Sequence, residues 1–181
     1  MQFERFDIQG PALIRPKMLG DDRGFFMEAF KDAWFRENIE DVTFVQDNQS
    51  LSRQVGTIRG LHYQTAPFGQ GKLVRCLKGS IFDVAVDIRP GSASFGKWVG
   101  ATLTAEKGEQ LWVPDGFAHA FCTLEPDTEV FYKVTNPYSK PNDAGLAFDD
   151  PEIGIVWPID IATAVLSDKD RVQPPLSSLT T

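Results

Sequence analysis

Histidine and cysteine are the scarce residues of this 181-residue chain, with two of each. Cys76 and Cys122 lie inside apolar runs and form no metal-like pair. That predicts buried, reduced thiols and a cytoplasmic setting rather than a disulfide-stapled secreted domain. Long apolar runs are also missing: no stretch approaches the ~18 residues of a membrane span. Met1-Gln2-Phe3-Glu4-Arg5-Phe6 has no basic region followed by an apolar run, so it does not read as a signal peptide. Basic charge is in the minority. The net charge of −7 argues against general nucleic-acid binding, which rests on basic surface. It leaves room for a local basic pocket around a small phosphate ligand.

What is present suits one domain over 1–181. Fourteen Phe and four Trp supply large side chains for a core, and this length is enough to bury one. Proline and glycine are scattered, as in a chain with many turns. There is no internal repeat.

The pattern along the chain is mostly of short strand-like runs separated by turns. Residues 12–16 read as a short strand ended by Pro16. A turn is expected at 20–24, an extended stretch at 25–30, a short helix at 31–38 and a strand over 42–50. Strands then follow closely, at about 57–64, 72–78, 80–88, 97–104, 110–113, 118–124 and 128–135, with turn residues between them. Phe82, Val84, Val86 and Ile88 alternate with Asp83, Ala85 and Asp87, giving one apolar face and one bearing two acids. A further short helix is expected near 161–166. Many short strands and few helices indicate an all-β antiparallel sandwich or barrel.

The two histidines, His62 and His119, each sit in an apolar or aromatic strand-like run, so both are candidates for one interior. Histidine is the side chain most easily set to move a proton near neutral pH. Gly108, Pro114, Gly116 and His119 follow the spacing Gly-x5-Pro-x-Gly-x2-His. This resembles the second motif of the cupin superfamily, a small jelly-roll barrel, with Thr123 where Asn is common. Gly56-x5-His62 resembles the first motif, but Gln64 replaces its second histidine and Lys72 stands at its glutamate. A lysine is a cation with no acceptor, and two histidines alone are too few ligands for a typical metal site. No catalytic metal is expected.

Those residues fit proton abstraction beside a carbonyl. Such chemistry needs a base at the C–H and positive charge at the developing enolate oxygen. A neutral histidine oriented by an acid can be the base, a lysine the stabiliser, and a tyrosine on the other face the proton donor. Only Tyr63, Tyr132 and Tyr138 are available, and Tyr132 lies mid-strand.

Several stretches taken in order are specific. They are 21–28, Gln46-Asp47-Asn48, Arg59-Gly60-Leu61-His62-Tyr63-Gln64, Pro114-Asp115-Gly116-Phe117-Ala118-His119, Tyr132-Lys133-Val134-Thr135, 149–158 and Leu166-Ser167-Asp168-Lys169-Asp170. Together they resemble the dTDP-4-dehydrorhamnose 3,5-epimerase family. The resemblance implies a cofactor-free isomerase acting on C3 and C5 of dTDP-4-dehydro-6-deoxy-D-glucose, within a cupin-type jelly roll carrying a few short helices. It implies His62 as base with Asp170 as its partner, Tyr132 as acid and Lys72 at the enolate. The preference for Asp170 over Asp168 comes from the family's Lys-Asp ending. It further implies Arg23 and Arg59 at the diphosphate, and Glu28, Gln46, Asp47 and Asn48 at the nucleotide. His119 and Lys169 would contact the substrate, and Tyr138 would stack on the thymine. The family is homodimeric, so Arg23 and Glu28 would reach the neighbour's site. Asp143 stands where the family usually has Glu. The same catalytic groups would serve a relative that epimerises a single carbon. A metal-dependent cupin is disfavoured by Gln64 and Lys72, and a non-catalytic sugar-nucleotide binder would not need the base, acid and lysine together.

Overall fold

The structure, a computed structural model, describes residues 1–179. Thirteen strands and one α-helix are found among them. The short N-terminal pieces are β1 (Gln2–Arg5), β2 (Ala12–Arg15), β3 (Met18–Asp21) and β4 (Gly24–Met27), followed by α1 (Asp32–Asn38). Then come β5 (Gln46–Ser52), β6 (Ile58–Gln64), β7 (Lys72–Lys78), β8 (Ser80–Asp87) and β9 (Trp98–Thr104). The last strands are β10 (Gln110–Val113), β11 (Phe117–Thr123), β12 (Thr128–Val134) and β13 (Asp143–Gly145). One sheet runs β1-β2-β10-β7-β12-β5 and a second β13-β6-β11-β8-β9, with β3-β4 a separate hairpin. The main-sheet pairings are antiparallel, giving the expected jelly-roll barrel.

Three apolar layers are built on the two sheets. Between the sheets, Val74, Leu111, Val113 and Val130 meet Ile81, Ala85, Leu103 and Phe121. The outer face of the smaller sheet (Ile58, Leu61, Val84, Val86, Ala120) is covered by Leu146, Phe148, Trp157 and Leu176 of the C-terminal segment. The outer face of the larger sheet (Ala12, Ile14, Leu73, Trp112) is covered by Phe35 and Ile39. Phe35 and Phe44 meet Trp112 edge-on at 5.1 and 5.8 Å between ring centroids, a preferred arrangement of aromatic quadrupoles.

The alternation of β8 therefore resolves in one direction. Its apolar face packs under the C-terminal segment, while Asp83, Ala85 and Asp87 look inward. Asp87 is fully buried and staples the following turn. It accepts hydrogen bonds from the Arg89 guanidinium and from the hydroxyls of Ser92 and Ser94.

Some boundaries differ from the pattern. The expected extension over 25–30 stops at Met27, because β4 pairs only with β3 and its last partner is Met18. Pro16, just before, cannot donate to a ladder. The strand expected over 42–50 instead runs Gln46–Ser52, where β12 provides a partner for each residue; Val42 and Phe44 tuck against the α1 layer. The helix expected at 161–166 is a single 3₁₀ turn, Ile161–Thr163. Val165 is drawn into extended backbone, its N–H donating to Gly56 O and its carbonyl accepting from Ile58 N. Among the described residues no helix is long and apolar enough to cross a membrane.

Candidate active site

The two sheets enclose a cavity of about 670 Å³. The larger sheet lines it with Gln46 and Asn48 from β5, Lys72 from β7 and Tyr132 from β12. The smaller sheet adds Arg59 and His62 from β6, His119 from β11 and Asp143 from β13. Tyr138, Lys169 and Asp170 complete the lining from connecting segments.

A local irregularity brings the two histidines together. Arg59 pairs with Phe121 and His62 with His119, so Gly60 and Leu61 together face Ala120 alone. This is a β-bulge, which turns one side chain to the other face of its strand. In an unbroken strand Arg59 and His62 would point to opposite faces. Only glycine fits at the crossing. A Cβ on Gly60 would lie 2.4 Å from the Ala120 Cβ and 2.6 Å from the His119 carbonyl oxygen, at a φ of +131°. Gly60→Ala is therefore expected to cost about 3 kcal/mol, roughly 8 °C in Tm. Thermal unfolding of the variant checks this; an unchanged Tm would mean that the bulge yields freely.

His62 Nε2 lies 2.5 Å from Asp170 Oδ1, and Asp170 is buried. Ser167 holds the acid in place, its hydroxyl accepting from the Asp170 N–H at 3.1 Å. Burial alone would raise the Asp170 pKa, but the hydrogen bond and charge of His62 bring it below the ordinary carboxylate value. Asp168 is exposed, so Asp170 is the acid brought to the histidine. An ionised partner on Nε2 fixes the proton there and leaves Nδ1 as the basic nitrogen.

His119 is held in the same way, with Nε2 2.7 Å from Asp83 Oδ1. Burial raises the Asp83 pKa, partly offset by His119 and Lys72. Asp83 was legible in the sequence only as one of two acids on a strand face. Its role depends on β8 lying beside β11, with His119 opposite Ala85.

Lys72 is 6% exposed and donates to the His62 carbonyl at 3.3 Å. Burial lowers its pKa to about 8, against the pull of Asp115, Asp143 and Asp83. Tyr132 stands on β12, beside β7 in the same sheet and on the sheet facing His62, and burial raises the pKa of its phenol, partly offset by Arg59. The Arg59 guanidinium lies along β5, donating to the Ser52 hydroxyl at 3.1 Å and the Leu51 carbonyl at 3.2 Å. Gln64, at the cupin histidine position, braces the loop before Tyr138 instead. Its amide donates to Phe68 O and Pro137 O and accepts from the Ser139 N–H. Among the described residues no group of three or more His, Cys, Asp or Glu is set to hold a metal ion.

Three expected site residues stand outside this cavity. The Asp47 side chain takes the opposite face of β5 from Gln46 and Asn48, where it pairs with Lys133 at 2.8 Å. Arg23, its side chain 89% exposed, pairs with Asp21 on the β3–β4 turn. Glu28 is exposed just after β4.

The geometry joins an acid-paired base in one sheet to a buried cation and a half-buried phenol on neighbouring strands of the facing one. That set can remove a proton beside a carbonyl and return one. Known proteins point the same way. A model of the dTDP-4-dehydrorhamnose 3,5-epimerase family matches residues 5–178. The dTDP-4-dehydrorhamnose 3,5-epimerase of Sinorhizobium fredii is 58% identical over 99% of this chain and 91% of its own length. A Legionella pneumophila dTDP-6-deoxy-D-glucose-3,5-epimerase, crystallised with dTDP-4-keto-L-rhamnose, superposes with a TM-score of 0.93. It is 42% identical, covering 97% of this chain and 93% of that one. A 3'-monoepimerase of Streptomyces bikiniensis bound to dTDP-quinovose follows at 33% identity and a TM-score of 0.90, covering 97% and 88%. Match over nearly the whole chain, on a site that carries the chemistry, means that this chain belongs to the dTDP-4-dehydrorhamnose 3,5-epimerase family.

Proposed function

We propose that His62 and Tyr132 carry the proton transfers of an epimerisation at C3 and C5 of dTDP-4-dehydro-6-deoxy-D-glucose, giving dTDP-4-dehydro-L-rhamnose. The observation that carries the reading is the 2.5 Å contact of His62 with Asp170 in a cavity that also holds Lys72 and Tyr132. The ketone at C4 makes the neighbouring C–H bonds acidic once the enolate oxygen meets a cation. Lys72 supplies that charge in a place poor in water, where it acts more strongly than in bulk. His62 Nδ1 takes the proton, and the imidazolium is stabilised by Asp170. Tyr132 delivers a proton to the opposite face, so the configuration inverts. Arg59, Gln46, Asn48, His119, Tyr138 and Lys169 hold the dTDP-sugar. No redox step is involved, since substrate and product are isomers, and no cofactor is required by this scheme.

The working unit is a homodimer in a cytoplasmic setting. Arg23 and Glu28 lie beside an exposed apolar hairpin, where Leu19, Phe25 and Phe26 are 52%, 60% and 67% exposed. Such a surface suits a second copy of the chain, and the hairpin would carry Arg23 and Glu28 to the neighbour's diphosphate and nucleotide. Both cysteines are free and buried, which suits a reducing compartment.

Turnover in deuterated water tests the reaction. Deuterium at both C3 and C5, with the L-sugar trapped by a downstream reductase, is expected. Label at one carbon alone identifies a single-carbon epimerase. No label at either carbon removes proton abstraction as the chemistry.

A further inference from the structure

A single carboxylate oxygen ties together three segments of the cavity wall. Asp143 sits on β13, whose backbone is fixed to the catalytic strand: Asp143 pairs with Gln64 and Gly145 with His62. Its Oδ2 accepts from the Tyr138 hydroxyl at 2.9 Å and from Lys169 Nζ at 2.5 Å. Tyr138 also donates its backbone N–H to Gln46 Oε1 at 3.3 Å. Lys169 immediately precedes Asp170, the acid that holds His62. The Asp143 side chain is 18% exposed while Lys169 is 45% exposed, so the bond reaches inward from the mouth.

We propose that Asp143 is a positioning residue. It acts through Tyr138 and Lys169, setting the Tyr138 ring at the mouth and pinning the turn that presents Asp170 to His62, rather than by contacting the nucleotide sugar. The inference rests on the epimerase reading above and assigns this residue a different task within it. The side-chain length matters. A glutamate would carry its carboxylate one methylene, about 1.5 Å, further from β13. The aspartate, with that reach missing, meets the chain's own phenol and ammonium. Both bonds on one oxygen are charge-assisted, the stronger class of hydrogen bond. The tie also has a direction: it joins the mouth to the dyad, so loosening it reaches both binding and turnover.

A double-mutant cycle separates positioning from contact. Tyr138→Phe keeps the ring and removes only the hydroxyl, and Asp143→Asn keeps the shape and removes the charge. Each single variant is expected to weaken competitive inhibition by dTDP roughly three- to tenfold, the scale of one charge-assisted bond in a partly wet site. The double variant is expected to be no weaker than the worse single one, because both changes break the same tie. Asp143→Asn should also lower kcat, and Lys169→Met should lower kcat without adding to Asp143→Asn. Fold-losses that multiply in the double variant would show an independent contact and overturn the proposal, as would an Asp143→Asn enzyme with unchanged dTDP affinity and kcat. These outcomes are read on an enzyme that turns over. Absence of exchange in the unaltered protein would instead remove the epimerase reading itself.

Discussion

His62→Ala is expected to lower kcat by about 10³-fold, the range of a positioned general base, and to leave dTDP affinity nearly unchanged. In the proposed mechanism the base acts only at the sugar carbons, while other parts of the cavity hold the nucleotide. The imidazole is partly exposed, with the side chain 33% accessible and one nitrogen committed to Asp170. Its loss removes no core packing, so the variant should fold normally. Tyr132→Phe makes the complementary measurement. His62 can still remove a proton and return one from solvent to the same face, so deuterium should enter without inversion. The ratio of exchange to epimerisation, read by mass and NMR, separates the two roles. Equal loss of exchange in both variants would deny Tyr132 its separate part. Undiminished turnover in His62→Ala would remove His62 from the mechanism.

Lys72→Met is expected to move activity and stability in opposite directions. Burial has lowered the Lys72 pKa from the ordinary 10.5 to about 8. That shift corresponds to about 3 kcal/mol disfavouring the charged lysine in the fold. Methionine fills a similar volume without the charge, so a gain of about 1 kcal/mol is expected after the loss of the hydrogen bond to the His62 carbonyl. Turnover, by contrast, should fall by about 10²- to 10³-fold, as when an oxyanion-stabilising group is removed. The pH dependence has a definite sign. Between pH about 8 and 10.5 the unfolded chain still holds the lysine proton and the folded chain has released it. Stability from this group therefore rises with pH across that window. Activity should fall across the same onset, as the cation at the enolate disappears. Chemical denaturation at pH 7 and pH 10 checks the first, and a kcat profile the second. A Lys72→Met protein that is less stable than the parent, or retains full turnover, would contradict the assignment.

The two predictions rest on residues that were legible to different degrees. Lys72 stood out because its position in a cupin motif normally belongs to an acid. Its depressed pKa was not legible, since that arises from burial between sheets that only folding brings together. The His62–Asp170 contact spans 108 residues, and the choice of Asp170 over Asp168 came from family likeness rather than from geometry. Gln46, Asn48 and Asp47 read as one run of contacts. The pleat of β5 divides them, sending Asp47 to Lys133 on the other face. β1 escaped notice because its four residues are all exposed and carry no buried face to pattern. β13, three residues long, is too short to show a period.

By itself the sequence determined the all-β class, the strand succession from residue 57 to 135, and which residue types were available for the chemistry. Alternation of apolar and polar side chains is a local property, and so is the spacing of glycine, proline and histidine. Tertiary structure alone decided which face of β8 turns inward, because that depends on what covers the other face. It also decided that Arg59, His62 and His119 share one interior. Strict alternation would separate Arg59 from His62. The extra residue at Gly60–Leu61 opposite Ala120 reverses that, and it is tolerated because the neighbouring backbone approaches where only a glycine leaves room.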